Sequence, residues 1–175
     1  LNTGRNEGTP TFNKNFTEMY FTRCGIEGKT KSKKDDYCAI FKSVRDIDGT
    51  WSYPDRIDFF SDSVNVGQPY LSPDGKFMLF VATDAPLGYG GKDIYIVYPE
   101  WGEWGEPQSL GNAINTSGNE MFPYVADDGN LYFSSDGHTG LGGLDLFKAK
   151  KEGKIWKEPV NLGPPVNSGF DDFGL

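Results

Sequence analysis

His138 is the only histidine in the chain, and it closes the stretch Ser134-Ser135-Asp136-Gly137-His138. Serine, aspartate and histidine together suggest nucleophilic catalysis. Triad members, however, converge from separate elements, and neighbours on one turn cannot take up that geometry. The matching stretch one unit earlier, Thr83-Asp84-Ala85-Pro86, has no histidine, so His138 reads as a loop residue. Cys24 and Cys38 have no histidine near them in sequence, which argues against an activated thiol. Carboxylates are plentiful, and a glycosidase needs only two. Here they recur: Asp36, Asp93 and Asp145 each open a strand-like run, and Glu7, Glu120 and Asp171 each precede one. A catalytic pair is needed once, whereas a carboxylate that accepts backbone N–H groups at a turn is needed in every unit. Asp36, Asp93 and Asp145 are therefore read as structural turn caps. Asp127-Asp128-Gly129-Asn130 offers oxygen ligands but lacks the spacing and terminal Glu of a calcium loop. No catalytic residue, metal site or cofactor is assigned.

The elements that must position these residues are written three times. Trp51-x-x-Pro54 with Ile57 and Val64-Asn65 is followed by Trp104-x-x-Pro107 with Leu110 and Ile114-Asn115. The third copy is Trp156-x-x-Pro159 with Leu162 and Val166-Asn167. With Asn2 as the tail of an earlier copy, the Asn-to-Asn steps are 63, 50 and 52 residues. A period of that length marks an array of small supersecondary units. Each unit opens near a proline (Pro10, Pro69, Pro123) and turns at Asn13-Lys14-Asn15, Ser72-Pro73-Asp74-Gly75 or Ala126-Asp127-Asp128-Gly129. It continues through an aromatic and β-branched run such as Phe77-Met78-Leu79-Phe80-Val81, and ends on a third run such as Ile94-Tyr95-Ile96-Val97. The Trp-x-x-Pro segment reads as an outer edge strand. Short strands joined by turn residues, repeated and without helical periodicity, give an all-β fold, and the repeat selects a β-propeller of four-stranded blades. Three blades fall at about 3–65, 66–115 and 116–167. Residues 1–2 and 168–175 belong to neighbouring units of a larger, five- to seven-bladed ring completed by another fragment or chain. The alternative is a three-unit domain that closes by dimerising.

Ser72-Pro73-Asp74-Gly75 with Phe80-Val81, and Gly90-Gly91-Lys92-Asp93-Ile94-Tyr95, resemble the WD40-like propeller repeat of the Tol translocation protein family. Leu141-Gly142-Gly143-Leu144-Asp145-Leu146-Phe147 and the Trp-x-x-Pro endings resemble the propeller of Bacteroidetes outer-membrane lipoproteins that also carry an OmpA-like domain, one of them a type IX secretion component. The first unit departs from the pattern, with Lys33-Lys34-Asp35-Asp36 in place of Gly-Gly-x-Asp. The resemblance implies a non-catalytic scaffold in the periplasm at the outer membrane. Its partners would be other envelope or secretion proteins, and peptidoglycan would be held only by a separate domain. The alternative is the propeller of a carbohydrate- or peptide-processing enzyme.

Composition agrees with strands and turns: aromatics are 15% of residues, with 23 Gly and 11 Pro. A net charge of −8 excludes a nucleic-acid partner, because phosphate neutralisation needs clustered cations. The one basic run, Lys29 to Lys34, is read as a solvated connection. No apolar run is long enough to span a membrane as a helix. Cys24 and Cys38 end one strand and begin the next. As antiparallel neighbours they come within disulfide range, the alternative being two reduced thiols. Trp101 has no counterpart in the other units, and Tyr89 and His138 lie on long Gly-rich connections. These three are the candidate partner contacts.

Overall fold

The computed structural model describes residues 3–26, 37–61, 64–153 and 155–174. Among them every regular element is a strand. The first sheet runs β1 (Asn6–Phe12), β2 (Glu18–Ile26), β3 (Tyr37–Val44) and β4 (Asp55–Ile57), paired in that order. The second joins β5 (Asn65–Leu71), β6 (Met78–Thr83) and β7 (Lys92–Val97) to an outer strand. Before that strand, a small hairpin of β8 (Pro99–Glu100) and β9 (Glu103–Trp104) intervenes, and β10 (Gln108–Ser109) then closes the sheet. The third repeats this plan with β11 (Glu120–Val125), β12 (Leu131–Ser135) and β13 (Asp145–Ala149). Its hairpin is β14 (Lys151–Glu152) with β15 (Ile155–Trp156), and its outer strand is β16 (Val160–Asn161). All pairings within the sheets are antiparallel. Asp36 and the run Lys29 to Lys34 lie outside the described residues.

The sheets stack as blades because the middle one is apolar on both faces. Side chains alternate along a strand. On β6, Met78, Phe80 and Ala82 join Tyr20, Phe21, Ile40 and Phe41 in a core shared with the first sheet. Leu79 and Val81 turn the other way, towards Leu131, Phe133, Phe147 and Trp156 of the third. Phe59 stacks on Phe80 with ring centroids 4.5 Å apart.

The repeated Asn is the clip of each unit. Asn115 accepts the Ile94 N–H at 2.9 Å and donates to the Ile94 carbonyl at 3.0 Å. Asn167 makes the same pair with Leu146, at 2.9 Å each way. In the first unit Asn65 accepts the Cys38 N–H at 2.8 Å. The amide stands in for a strand neighbour and satisfies backbone groups that burial would otherwise leave unpaired. Asn115 and Asn167 are themselves buried.

Each innermost strand carries a bulge at its X-Pro step. Thr9, Gln68 and Phe122 precede Pro10, Pro69 and Pro123 with φ of 47°, 52° and 54°, and the ladder register slips at each. Gln68 ties these bulges together: its N–H donates to Thr22 Oγ1, and its Oε1 accepts the Phe122 N–H, both at 2.8 Å.

The outer strand differs from the sequence expectation. The repeated Trp lies before it: Trp104 and Trp156 are on the small hairpins, and Trp51 bridges to Arg45. The edge strand begins only after Pro54, Pro107 or Pro159. The reason is chemical, because proline has no N–H to give to the ladder.

Candidate interaction surface

Asp93 is fully buried and uses Oδ2 to accept the N–H groups of Tyr89 (2.9 Å) and Gly90 (3.3 Å). Asp145, equally buried, accepts from Leu141 (2.6 Å) and Gly142 (3.2 Å). In both, Oδ1 is buried without a hydrogen-bond partner. Burial raises the Asp93 carboxyl above its ordinary value, against the two backbone hydrogen bonds that lower it. The adjoining glycines are steric necessities, since a methyl on Gly140 would meet the Asp145 carboxylate.

Ladder register shows what stands at this level in each blade. Phe21, Phe80 and Phe133 pair with Phe41, Tyr95 and Phe147, which aligns the three sheets. Two residues before the third-strand aromatic stand Asp93, Asp145 and, in the first blade, Ala39. The aspartate recurrence thus holds for two of the described rungs, and Ala39 stands at the position in the first. The full rungs are Glu7–Arg23–Ala39, Val66–Ala82–Asp93 and Glu120–Ser135–Asp145. Glu7 accepts from Arg23 Nε at 3.0 Å, and Arg23 lies 4.8 Å over the Phe41 ring. Glu120 accepts from Ser135 Oγ at 2.7 Å.

Glu7 and Glu120 lie within their strands rather than ahead of them. Each closes a loop onto a hydroxyl four residues earlier, Thr3 Oγ1 and Thr116 Oγ1, at 2.6 Å. The matching acid in the last copy is Asp172, which accepts the Ser168 N–H at 2.6 Å, and not Asp171. Asp171 instead accepts from Leu144 N. Sequence counting slipped by one because two aspartates are adjacent.

Cys24 and Cys38 are cross-strand partners joined by a disulfide. His138 is not an open loop residue. Its Nε2 lies 2.8 Å from the Ile114 carbonyl, and its ring packs on Phe133 and Phe147. Asp128 caps its own turn through the Asn130 N–H at 3.0 Å.

The remaining candidates face solvent at opposite ends of the strands. Tyr89, 48% exposed, lies on the connection between β6 and β7, with Leu87 beside it. Trp101 lies at the tip of the β8–β9 hairpin at the other end, fully exposed at 103%. Leu87 and Trp101 hold φ of 62° and 55°. So does Phe16, at 54° and 60% exposed, on the turn between β1 and β2. Left-handed backbone in a bulky residue costs on the order of 1 kcal/mol or more and gathers at functional sites. The sequence singled out Trp101 by its lack of a counterpart. Leu87 and Phe16 carried no such signal.

No protein-family model matches the chain, and no curated relative matches it. Solved structures do. TolB from Acinetobacter baumannii aligns over 90% of this chain with a TM-score of 0.55 and 20% identity. A prolyl endopeptidase, from a structural and mechanistic study of two such enzymes, aligns over 86% with a TM-score of 0.52 and 16% identity. The chain covers 33% of the first structure and 21% of the second. At these identities the likeness shows the fold: blades of a β-propeller.

Proposed function

We propose that this chain is a non-catalytic protein-interaction scaffold of a bacterial envelope assembly. The observation that carries the reading is the set of bulky apolar residues, Phe16, Leu87 and Trp101, held exposed on strained backbone. Their exposure has a conformational cost that packing within the chain offsets only at Phe16, whose ring meets Phe12 at 5.6 Å, as expected of contacts completed by another molecule. The buried carboxylates, by contrast, hold their own loops and strands, Asp93 and Asp145 through backbone N–H groups at one oxygen and Glu120 through a serine hydroxyl. The TolB-like fold and a disulfide, which persists in oxidising compartments, support a periplasmic setting. The narrower reading follows from the repeat's resemblance. It places the protein at the outer membrane, in type IX secretion or envelope anchoring, with a separate peptidoglycan-binding domain. In it the units 3–65, 66–115 and 116–167 are three blades of a larger ring.

The competing reading is the propeller of a peptidase, which the prolyl endopeptidase likeness favours. Photo-crosslinkers at Leu87 and Tyr89 in living cells, with a peptide-hydrolysis assay on the purified protein, separate the two. One recurrent protein adduct and no turnover is the expected result. Turnover that survives purification and is lost on substituting a residue of this chain would replace the scaffold with an enzyme.

A further inference from the structure

We infer that the groove between the first and second sheets, walled by the β8–β9 hairpin, receives an arginine- or lysine-rich segment of a partner protein. This rests on the scaffold reading and names the chemistry of one partner. The groove encloses about 600 Å³. Five of its lining residues are acids and two are bases. Both bases are already committed, Lys42 to Glu18 and Arg56 to Asp58. Asp55, Glu103 and Glu106 are exposed and have no ion pair among the described residues. Trp104 meets Tyr20 edge-on in the same wall, with centroids 5.9 Å apart. The groove also shows how a cation sits there: the Lys42 ammonium lies 5.6 Å over the Tyr20 ring while paired to Glu18. Carboxylates beside aromatic faces suit guanidinium, which stacks and forks at once.

The corresponding groove one blade on, about 580 Å³ between the second and third sheets, provides an internal control. Ile96, Leu110, Ile155 and Trp156 line it, and Lys151 is the one charged residue among its described lining residues. Among the described lining residues of the two grooves, the acids therefore belong to the first. The two hairpins differ in the same sense. Gly153 takes the positive-φ turn position in the third blade, whereas Trp101 takes it in the second, ahead of Gly102 at φ 92°. Two successive positive φ values make a type I′ turn, whose preferred residues are Asn-Gly. Glycine fits the turn better, and the fully exposed Trp101 ring is free to meet a partner. Glu100 and Glu103 flank it.

The test uses fluorescein-labelled hexa-arginine, with hexaglutamate and an uncharged chitin hexasaccharide as comparators, followed by anisotropy at low and high salt. Hexa-arginine is expected to bind. The Glu103→Gln/Glu106→Gln variant should weaken it about tenfold, a hot-spot-sized effect. Asp46→Asn/Glu158→Gln changes the net charge equally outside the groove and should leave binding unchanged. Trp101→Asn should weaken binding while raising Tm by about 2–4 °C, because it relieves the turn. Equal loss in both charge variants would mean diffuse attraction to an acidic protein and overturn the site. Preference for the saccharide, or no binding of hexa-arginine, would also overturn it. Mass spectrometry of the mixture separates the two readings. Cleaved hexa-arginine would sink the scaffold and leave the groove, whereas absent binding would sink the groove and leave the scaffold.

Discussion

The first and third blades solve one problem with different chemistry. At the same rung, the first has Glu7–Arg23–Ala39 and the third has Glu120–Ser135–Asp145. One pairs a partly exposed acid with a buried guanidinium wedged against Phe21 and Phe41, and the other closes buried acids with a hydroxyl and backbone N–H groups. The first blade adds a disulfide at the level where the third has Gly-rich turns. The first and third blades thus pair polar side chains across this rung, while the second fills it with Val66 and Ala82 beside Asp93. The residue types at the rung are free to change.

The largest effect is expected from breaking the first blade's version. Arg23 is itself buried against Phe21 and Phe41, so Arg23→Ala leaves a void beside two rings and should cost on the order of 3 kcal/mol. Ser135→Ala removes only a hydroxyl and should cost about 1 kcal/mol in urea unfolding. Equal losses would mean that the two rungs are not doing the same job by different means. Cys24→Ser/Cys38→Ser should cost nearly as much as Arg23→Ala, about 3 kcal/mol for a closed loop of this length, and reductant should then have no further effect. Asn115→Ala exposes the mismatch in the shared clip. It leaves the Ile94 N–H unpaired and its carbonyl with the Leu110 N–H alone, for about 2 kcal/mol. Hydrogen exchange at Ile94 should accelerate while amides of the first blade stay protected.

The smallest effect is in pH dependence, where buried and exposed acids should oppose each other. Burial raises Asp93, so its favourable contribution is complete below the ordinary carboxyl value and fades as pH climbs through its own. Asp74 is held down to about 2 by hydrogen bonds from Lys76 and Ser72. Its contribution is therefore present above the ordinary value and fades as pH falls towards 2. Against wild type, Asp93→Asn should gain in Tm on going from acid to neutral pH, and Asp74→Asn should lose. The same sign for both variants would refute the assignment.

The strands and turns were legible because their signals are local. Ser72-Pro73-Asp74-Gly75 forms the hydrogen-bonded turn its residues suggest, from Gly75 N to Ser72 O. Phe77 to Val81 largely coincides with β6. The edge strand was displaced because aromatic Trp looked like strand, while the missing proline N–H decided where pairing resumes. The clip was visible as a repeated Asn, yet its partner lies 21 residues upstream in two units and 27 in the first. Counting along the chain does not supply that pairing. The Arg23 rung was hidden for the same reason, since it is a register relation between three strands.

The bulged X-Pro step of the innermost strands also governs how this fold can be extended. An edge whose register slips, and whose second bulge residue has no N–H, offers no continuous row of donors and acceptors to an incoming chain. Thr9-Pro10, Gln68-Pro69 and Phe122-Pro123 therefore cap the axial side of all three sheets against fibrillar growth. The outer edges are only two or three residues long. A chain this rich in aromatic strands would otherwise be a template for its own aggregation. Association with other molecules is thereby left to side chains on turns and hairpins rather than to backbone pairing.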